Sequence, residues 1–74
     1  MDRIGIVQLR KMVQNAATKH GLDLMWDGQN LMVPPHCVKL GDRTITRYGS
    51  STEVAHDLER WLDGYETGIS VLKL

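Results

Sequence analysis

The dipeptide Asp27-Gly28 constrains the fold of this 74-residue chain more than any other feature of its sequence. Asp-Gly favours the two-residue turn of a β-hairpin, because both residues tolerate the backbone conformation that this turn needs. Before the dipeptide, apolar residues recur at every second position, which is the spacing of a strand. With Asp27-Gly28 as the loop, the predicted cross-strand pairs are Trp26 with Gln29, Leu24 with Leu31, and Leu22 with Val33. The last two pairs join apolar side chains on one face, so the turn and the hydrophobic pattern predict the same register.

An amphipathic helix is predicted before this hairpin. The residues of its buried stripe recur at helical spacing and are Leu9, Met12, Val13, Ala16, Ala17 and His20. We expect Asp2 to cap the start of the helix. Gly21 is well placed to follow its last turn in the left-handed conformation.

A second hairpin is predicted after the first. Pro34-Pro35 should end the first ladder, because proline has no amide hydrogen to donate. Residues 36–40 then favour an extended strand, and Gly41-Asp42 favours a glycine-first turn. This turn would pair Val38 with Ile45 and Lys39 with Thr44. Residues 43–48 are rich in β-branched side chains and polar on one face. This pattern is typical of a strand in a sheet with one face in water.

The C-terminal part predicts a second helix. Ser50 and Glu53 have the spacing of a capping box, with Ser50 as the cap. The buried stripe of this helix would be Val54, Leu58, Trp61, Leu62 and Tyr65. Gly64 should end the helix, and residues 69–74 favour a short last strand or an apolar docking tail.

Together these elements predict one α+β domain spanning residues 1–74, because two folded cores do not fit in a chain of this length. The order is α-β-β-β-α with a C-terminal strand as an option, and both helices lie on one face of a small antiparallel sheet. Residues 1–20 contain four basic residues and one acidic residue, whereas residues 49–74 contain two basic and five acidic ones. We therefore expect the two helices to lie side by side and attract each other.

The sequence offers little that supports catalysis or a cofactor. A single cysteine, Cys37, excludes an internal disulfide and a four-cysteine zinc site. The three histidines show no metal-binding spacing with Cys37 or with each other, so we expect neither a metal nor another cofactor. Cys37 with His56 and Asp57 is the one combination that would suit nucleophilic catalysis, and no motif brings these residues together. We expect a non-enzymatic protein.

Several large apolar side chains have no clear partner inside the predicted core and indicate a binding surface. We expect contacts with a protein partner, or with a second copy in a homodimer, through four residues: Met25, Trp26, Met32 and Tyr48. Core packing is the simpler interpretation of such residues, above all for Trp26. The longest apolar run has three residues and no signal peptide is apparent, so we expect a cytoplasmic protein that does not span a membrane.

Nucleic-acid binding is the alternative. The basic residues that would serve it lie on the first helix and the third strand and are Arg10, Lys11, Lys19, Arg43 and Arg47. The order α-β-β-β-α resembles the double-stranded-RNA-binding domain, and this resemblance implies recognition of RNA by shape. The second helix begins with Ser51, Thr52 and Glu53, where that family has a lysine cluster. The balanced overall charge also lacks the basic excess that phosphate binding favours.

The chain is one compact domain without a site motif, and residues 59–68 near its end read Glu-Arg-Trp-Leu-Asp-Gly-Tyr-Glu-Thr-Gly. In these features it is similar to the small accessory proteins that bacteriophages encode. That class includes inhibitors of host defence, among them anti-CRISPR proteins. The resemblance implies a protein that covers the surface of a partner and carries out no chemistry of its own.

Overall fold

The fold is α+β, with the predicted order α-β-β-β-α. The computed structural model describes residues 3–72, with side chains through residue 68. Its elements are α1 (Ile6–His20), β1 (Leu24–Asn30), β2 (Val33–Leu40), β3 (Arg43–Thr44) and α2 (Ser51–Leu72). The strands form one antiparallel sheet in the order β1-β2-β3. This arrangement confirms the fold class that the sequence predicts.

The hydrophobic core lies between the two helices and the sheet, where α1 packs mainly on β1 and α2 on β2. Its buried side chains are Leu9, Val13, Ala16, Leu24, Val38, Val54, Ala55 and Leu58. The residues from α1 and α2 belong to the predicted helical stripes, with Ala55 added beside them. Removing these side chains from water is the main force that holds the helices and the sheet together.

The turn between β1 and β2 differs from the predicted one. β1 continues through Asp27-Gly28, and the chain reverses at Leu31 and Met32 instead. Asn30 supports this turn, because its side-chain Oδ1 accepts a hydrogen bond from the backbone N–H of Met32 at 2.9 Å. The observed register pairs Leu24 with Leu40, Met25 with Lys39, Trp26 with Val38, Asp27 with Cys37 and Gly28 with His36. The register built on an Asp27-Gly28 loop is therefore wrong.

Gly28 has a packing role in the middle of the strand. A Cβ atom at this position would lie 2.8 Å from the ring of Trp26 and 3.0 Å from the carbonyl oxygen of Pro35. A side chain cannot fit at these distances, so glycine is needed where the Trp26 indole lies against the backbone. In the dipeptide that resembles a turn signal, Gly28 thus provides the space that the Trp26 ring occupies.

The two prolines also behave differently from the prediction. Both belong to β2, opposite Gln29, where the register shifts between the pair Gly28–His36 and the pair Asn30–Val33. Two residues of β2 therefore face one residue of β1, which is the arrangement of a β-bulge. A bulge tolerates missing amide hydrogens, so the prolines distort the ladder without ending it.

The second hairpin is confirmed at its turn and is shorter than predicted. Gly41 has φ 61°, and Lys39 pairs with Thr44 as expected. The ladder then stops, because the hydroxyl of Thr46 accepts the hydrogen bond of the Val38 N–H at 2.9 Å in place of a backbone carbonyl. Thr46 is buried, so residues 45–48 do not form the half-exposed strand that was predicted. An isolated bridge between His36 and Gly49 resumes the pairing.

The C-terminal end of α1 matches the prediction. Gly21 follows the helix with φ 64°, and its N–H donates to the carbonyl of Ala17, as expected for a left-handed C-terminal residue. At the other end Gly5 precedes the first turn, without a side-chain cap. Asp2, the predicted cap, lies outside the described residues.

The start of α2 has Ser50 as its predicted cap, and the Glu53 side chain reaches back to the Ser50 hydroxyl, whereas a full capping box has it at the Ser50 backbone N–H. The Ser50 Oγ accepts a hydrogen bond from the backbone N–H of Glu53 at 3.3 Å, and the Ser50 hydroxyl donates to the Glu53 carboxylate at 3.1 Å. The next two hydroxyls also hold the segment before α1. Ser51 donates to the Ile4 carbonyl at 2.6 Å, and the Ile4 N–H donates to Thr52 at 3.0 Å.

The far end of α2 contradicts the prediction, because the helix passes through Gly64 and Gly68 and continues to Leu72. The predicted strand at residues 69–74 is therefore wrong for its described part, and residues 73–74 lie outside the described residues. Glu66 of this longer helix pairs with Lys19 at 3.4 Å and with His20 at 3.3 Å. These contacts confirm that the basic and acidic helices lie side by side. Over residues 3–72, none of the helices is both long and apolar enough to cross a membrane.

Two glycine-to-alanine substitutions test where the helices end. Gly64→Ala should raise the free energy of unfolding by about 0.5–1 kcal/mol, because alanine favours the interior of a helix and its Cβ would meet no atom within 4 Å. Gly21→Ala should lower it by about 1–2 kcal/mol, because the left-handed conformation is strained for alanine. Urea unfolding followed by circular dichroism measures both. A loss of stability in Gly64→Ala would mean that α2 ends near that residue.

Candidate partner-binding site

A cleft beside the edge of the sheet brings together two of the predicted contact residues. It has a volume of about 550 Å³, and it is lined by Val7, Arg10, Lys11, Gln14, Met25 and Trp26. We call it the edge cleft. Met25 and Trp26 are neighbours in β1, so their side chains point to opposite faces of the sheet. Since both line the cleft, it spans the open edge of β1 and faces the exposed side of α1.

Trp26 is fixed in the cleft by contacts with the sheet. Its ring lies against Gly28, and its Nε1–H donates a hydrogen bond to Nδ1 of His36 at 3.2 Å. An indole N–H only donates, so Nδ1 of His36 must carry a lone pair and its proton belongs on Nε2. The indole is half-buried and packs against the core, which makes it a rigid wall of the cleft. Trp26 thus belongs in part to the core, and its role as a contact residue stays a prediction.

The outer face of the sheet, which points away from the helices, carries a second group of predicted contact residues. Met25 is 58% exposed and Tyr48 is 62% exposed, and the Tyr48 hydroxyl lies within reach of the Cys37 thiol. Asp27 forms an ion pair with Lys39 at 3.4 Å on this face. The outer face therefore places two large apolar side chains around one ion pair.

Cys37 lies in the outer face and is completely buried. Burial raises the pKa of the Cys37 thiol, and this is the largest effect. A hydrogen bond from Tyr48 lowers the pKa in part. Of the two nearby charges, the Asp27 carboxylate raises the pKa and the Lys39 ammonium lowers it. The Asp27 carboxylate raises the pKa of Lys39 through a hydrogen bond and its charge. A protonated thiol is a poor nucleophile, so this environment is that of a structural cysteine.

Met32, the remaining predicted contact residue, lies in the turn of the first hairpin. It is 77% exposed, and its neighbours Leu31 and Val33 are exposed as well. This apolar hairpin tip is separate from the edge cleft. Sequence reasoning missed Leu31, because the predicted register placed it in the core opposite Leu24. It also missed Val7, which lines the cleft from outside the apolar stripe of α1.

The five basic residues proposed for nucleic-acid binding do not form one surface. Arg10 and Lys11 line the edge cleft, whereas Arg43 is in β3 at the opposite edge of the sheet. Lys19 pairs with Glu66, and Arg47 pairs with Asp57 at 3.6 Å. The structure thus brings two of the five together.

The structure does not bring together the three residues considered for catalysis. Asp57 accepts a hydrogen bond from the backbone N–H of Arg47 at 2.9 Å, and the carboxylate beside Cys37 is that of Asp27. His56 lies on the exposed side of α2, next to Arg47 and Arg60. In the part of the chain with described side chains, no three residues among His, Cys, Asp and Glu are grouped closely enough to hold a metal ion.

No protein-family model, curated protein or solved structure matches this chain. The resemblances noted from its sequence therefore remain expectations. Any proposal for its function depends on the geometry of the edge cleft and the outer face.

The buried thiol should make the stability of the protein depend on alkaline pH. As the pH rises above about 8.5, the unfolded Cys37 ionises while the folded thiol stays protonated, so the free energy of unfolding falls until the raised pKa is passed. Lys39, whose folded pKa is also raised, loses its stabilising charge at still higher pH. We expect wild type to lose more stability than Cys37→Ala between about pH 8 and pH 10. Urea unfolding at both pH values measures the difference, and equal losses in the two proteins would contradict the assignment.

Proposed function

We propose that this protein is a non-enzymatic binding module that recognises a protein partner through the edge cleft and the outer face. The observation that carries the proposal is the position of Met25 and Trp26. The first is exposed and the second half-buried, and both line a cleft at the open edge of β1. Methionine adapts its shape to a partner, and a rigid indole supplies contact area at little cost in conformational entropy.

The surroundings of these residues support a binding role. Tyr48 extends the apolar area across the outer face, and the Asp27–Lys39 pair lies between Tyr48 and Met25 in the sheet. Apolar anchors with charged groups beside them are typical of protein interfaces. Binding through such a surface would act by steric occlusion, because it requires no reacting group.

We also propose that the bound partner is inhibited. A small module that covers the working surface of a larger assembly blocks it without chemistry of its own, as the resemblance to phage accessory proteins implies for a host defence complex. Its site of action would then be the cytoplasm of the host cell. Restored phage growth when the chain is produced in defended cells, and its loss in a Met25→Asp variant, would support this role.

Nucleic-acid binding has less support. Of its five basic residues, Arg10 and Lys11 lie together in the edge cleft, whereas Lys19 and Arg47 are already paired with acidic side chains. A surface that neutralises phosphates needs several cations in one stripe. Two adjacent cations beside an apolar edge fit a protein partner better.

Site-specific photo-crosslinking tests the proposal. A benzophenone amino acid at position 25 or 48 should give discrete protein adducts in native cells, because both side chains are exposed within the proposed surface. The same group at position 59, exposed on α2, is the matched control and should give few adducts. Adducts are separated by mass and identified by mass spectrometry.

The products distinguish the outcomes. Adducts at positions 25 and 48 that resist nuclease would support a protein partner, and an adduct of twice 8.4 kDa would identify a second copy of the chain. Adducts that nuclease removes would replace the proposal with nucleic-acid binding. Equal labelling at positions 25, 48 and 59 would refute a specific surface.

A further inference from the structure

The backbone of β1 offers hydrogen-bonding groups along its open edge. In an antiparallel pair, alternate residues turn their N–H and C=O groups towards the neighbouring strand. The N–H of Gly41 donates to the carbonyl of Asp23 at 2.9 Å, so the odd-numbered residues of β1 are those bonded to β2. Leu24, Trp26 and Gly28 therefore direct their backbone groups away from β2.

The far side of β2 confirms this alternation. Val38 and His36, which face Trp26 and Gly28, use their backbone groups on the side away from β1. Val38 accepts a hydrogen bond from Ile45, and His36 exchanges two with Gly49. Leu24 is buried, so its groups are covered, whereas Trp26 and Gly28 are half-exposed. The open edge thus presents two consecutive sets of backbone donors and acceptors.

The wall opposite this edge is cationic. Arg10 and Lys11 of α1 line the edge cleft, and neither forms an ion pair within residues 3–68. Among the residues with described side chains, no acidic one lines the cleft. A ligand that fills it therefore meets backbone groups on one side and two unneutralised cations on the other. Charge complementarity of this kind selects a negatively charged partner.

A second copy of this chain fits the edge poorly. Pairing β1 with β1 of another copy about a two-fold axis would place Arg10 and Lys11 of each copy on the same side of the new interface, where they repel. Nucleic acid offers the negative charge, but it lacks the alternating N–H and C=O groups that pair with a strand edge. An extended polypeptide supplies both.

We propose that the edge cleft binds an extended, acidic segment of a protein partner, which adds to β1 as a fourth strand at Trp26 and Gly28. Its alternate side chains place carboxylates near Arg10 and Lys11, on the same face as Trp26, and the intervening ones lie against Met25 on the outer face. This inference rests on the proposed protein-binding function and specifies the chemistry of its partner.

A synthetic peptide tests the inference directly. The probe is a fluorescent acetylated peptide that alternates Glu with Val and Thr, titrated with the full chain at low salt and followed by anisotropy. A peptide with Lys in place of Glu controls for charge. A third, N-methylated at alternate residues, keeps the charge and removes the hydrogen bonds of a strand. We expect binding of the first peptide alone, weakening as salt is added.

Amide exchange measured by NMR reports where the peptide binds. The amides of Trp26 and Gly28 should become protected in the complex, whereas those of Met25 and Asp27 should not change, because they already bond to β2. Arg10→Gln with Lys11→Gln should weaken binding at least about fivefold. Arg43→Gln with Arg60→Gln removes the same charge from exposed positions elsewhere and should change affinity less than about twofold.

Other results would overturn the inference. Equal binding of the Glu and Lys peptides would remove the acidic preference, and equal binding of the N-methylated peptide would remove strand addition. Tighter binding of a single-stranded oligonucleotide would assign the cleft to nucleic acid. If the Glu peptide fails while protein adducts persist at position 25, the inference is wrong and the proposed function stands. If the adducts are also absent, both are wrong.

Discussion

The contact of the Trp26 indole with the backbone at Gly28 and with the side chain of His36 determines the rest of this structure. The ring occupies the space where any larger residue at position 28 would place its Cβ, and its N–H is bonded to an imidazole across the ladder. The hydrogen bond to His36 requires that residue to lie opposite Gly28, diagonally across from Trp26, which is the observed register. A shift of one residue would break this bond and turn the apolar side chains of β1 away from the helices.

The same register creates the candidate binding surface. With β1 paired along one side to β2, its other side stays open in the described structure, and the exposed wall of α1 faces that edge. Met25, adjacent to Trp26, is turned to the outer face, where its partner in the ladder is Lys39. The core, the open edge and the outer face therefore depend on a single strand of seven residues.

The buried stripes of the helices, the end of α1 and the start of α2 were predictable because their signals are local. The stripe of α1, the left-handed Gly21 and the hydrogen bonds between Ser50 and Glu53 involve residues within a few positions of one another. The turn at Gly41 belongs to the same group. In the candidate site, the exposure of Met25 and Met32 followed from their lack of core partners. The predictions failed where contacts between different strands and loops determine the structure, as for Trp26, whose indole bonds to His36 of β2, and for Thr46, whose hydroxyl replaces a carbonyl in the ladder.

The sequence alone determined the number and kind of the elements and which helix faces are buried, because the spacing of apolar side chains dictates these properties. Only the tertiary structure decided where β1 turns, how far α2 extends past Gly64, and which cations meet at one cleft. Asp-Gly and an interior glycine each suit more than one backbone geometry. The choice between those geometries depends on the side chains that another part of the chain brings against them.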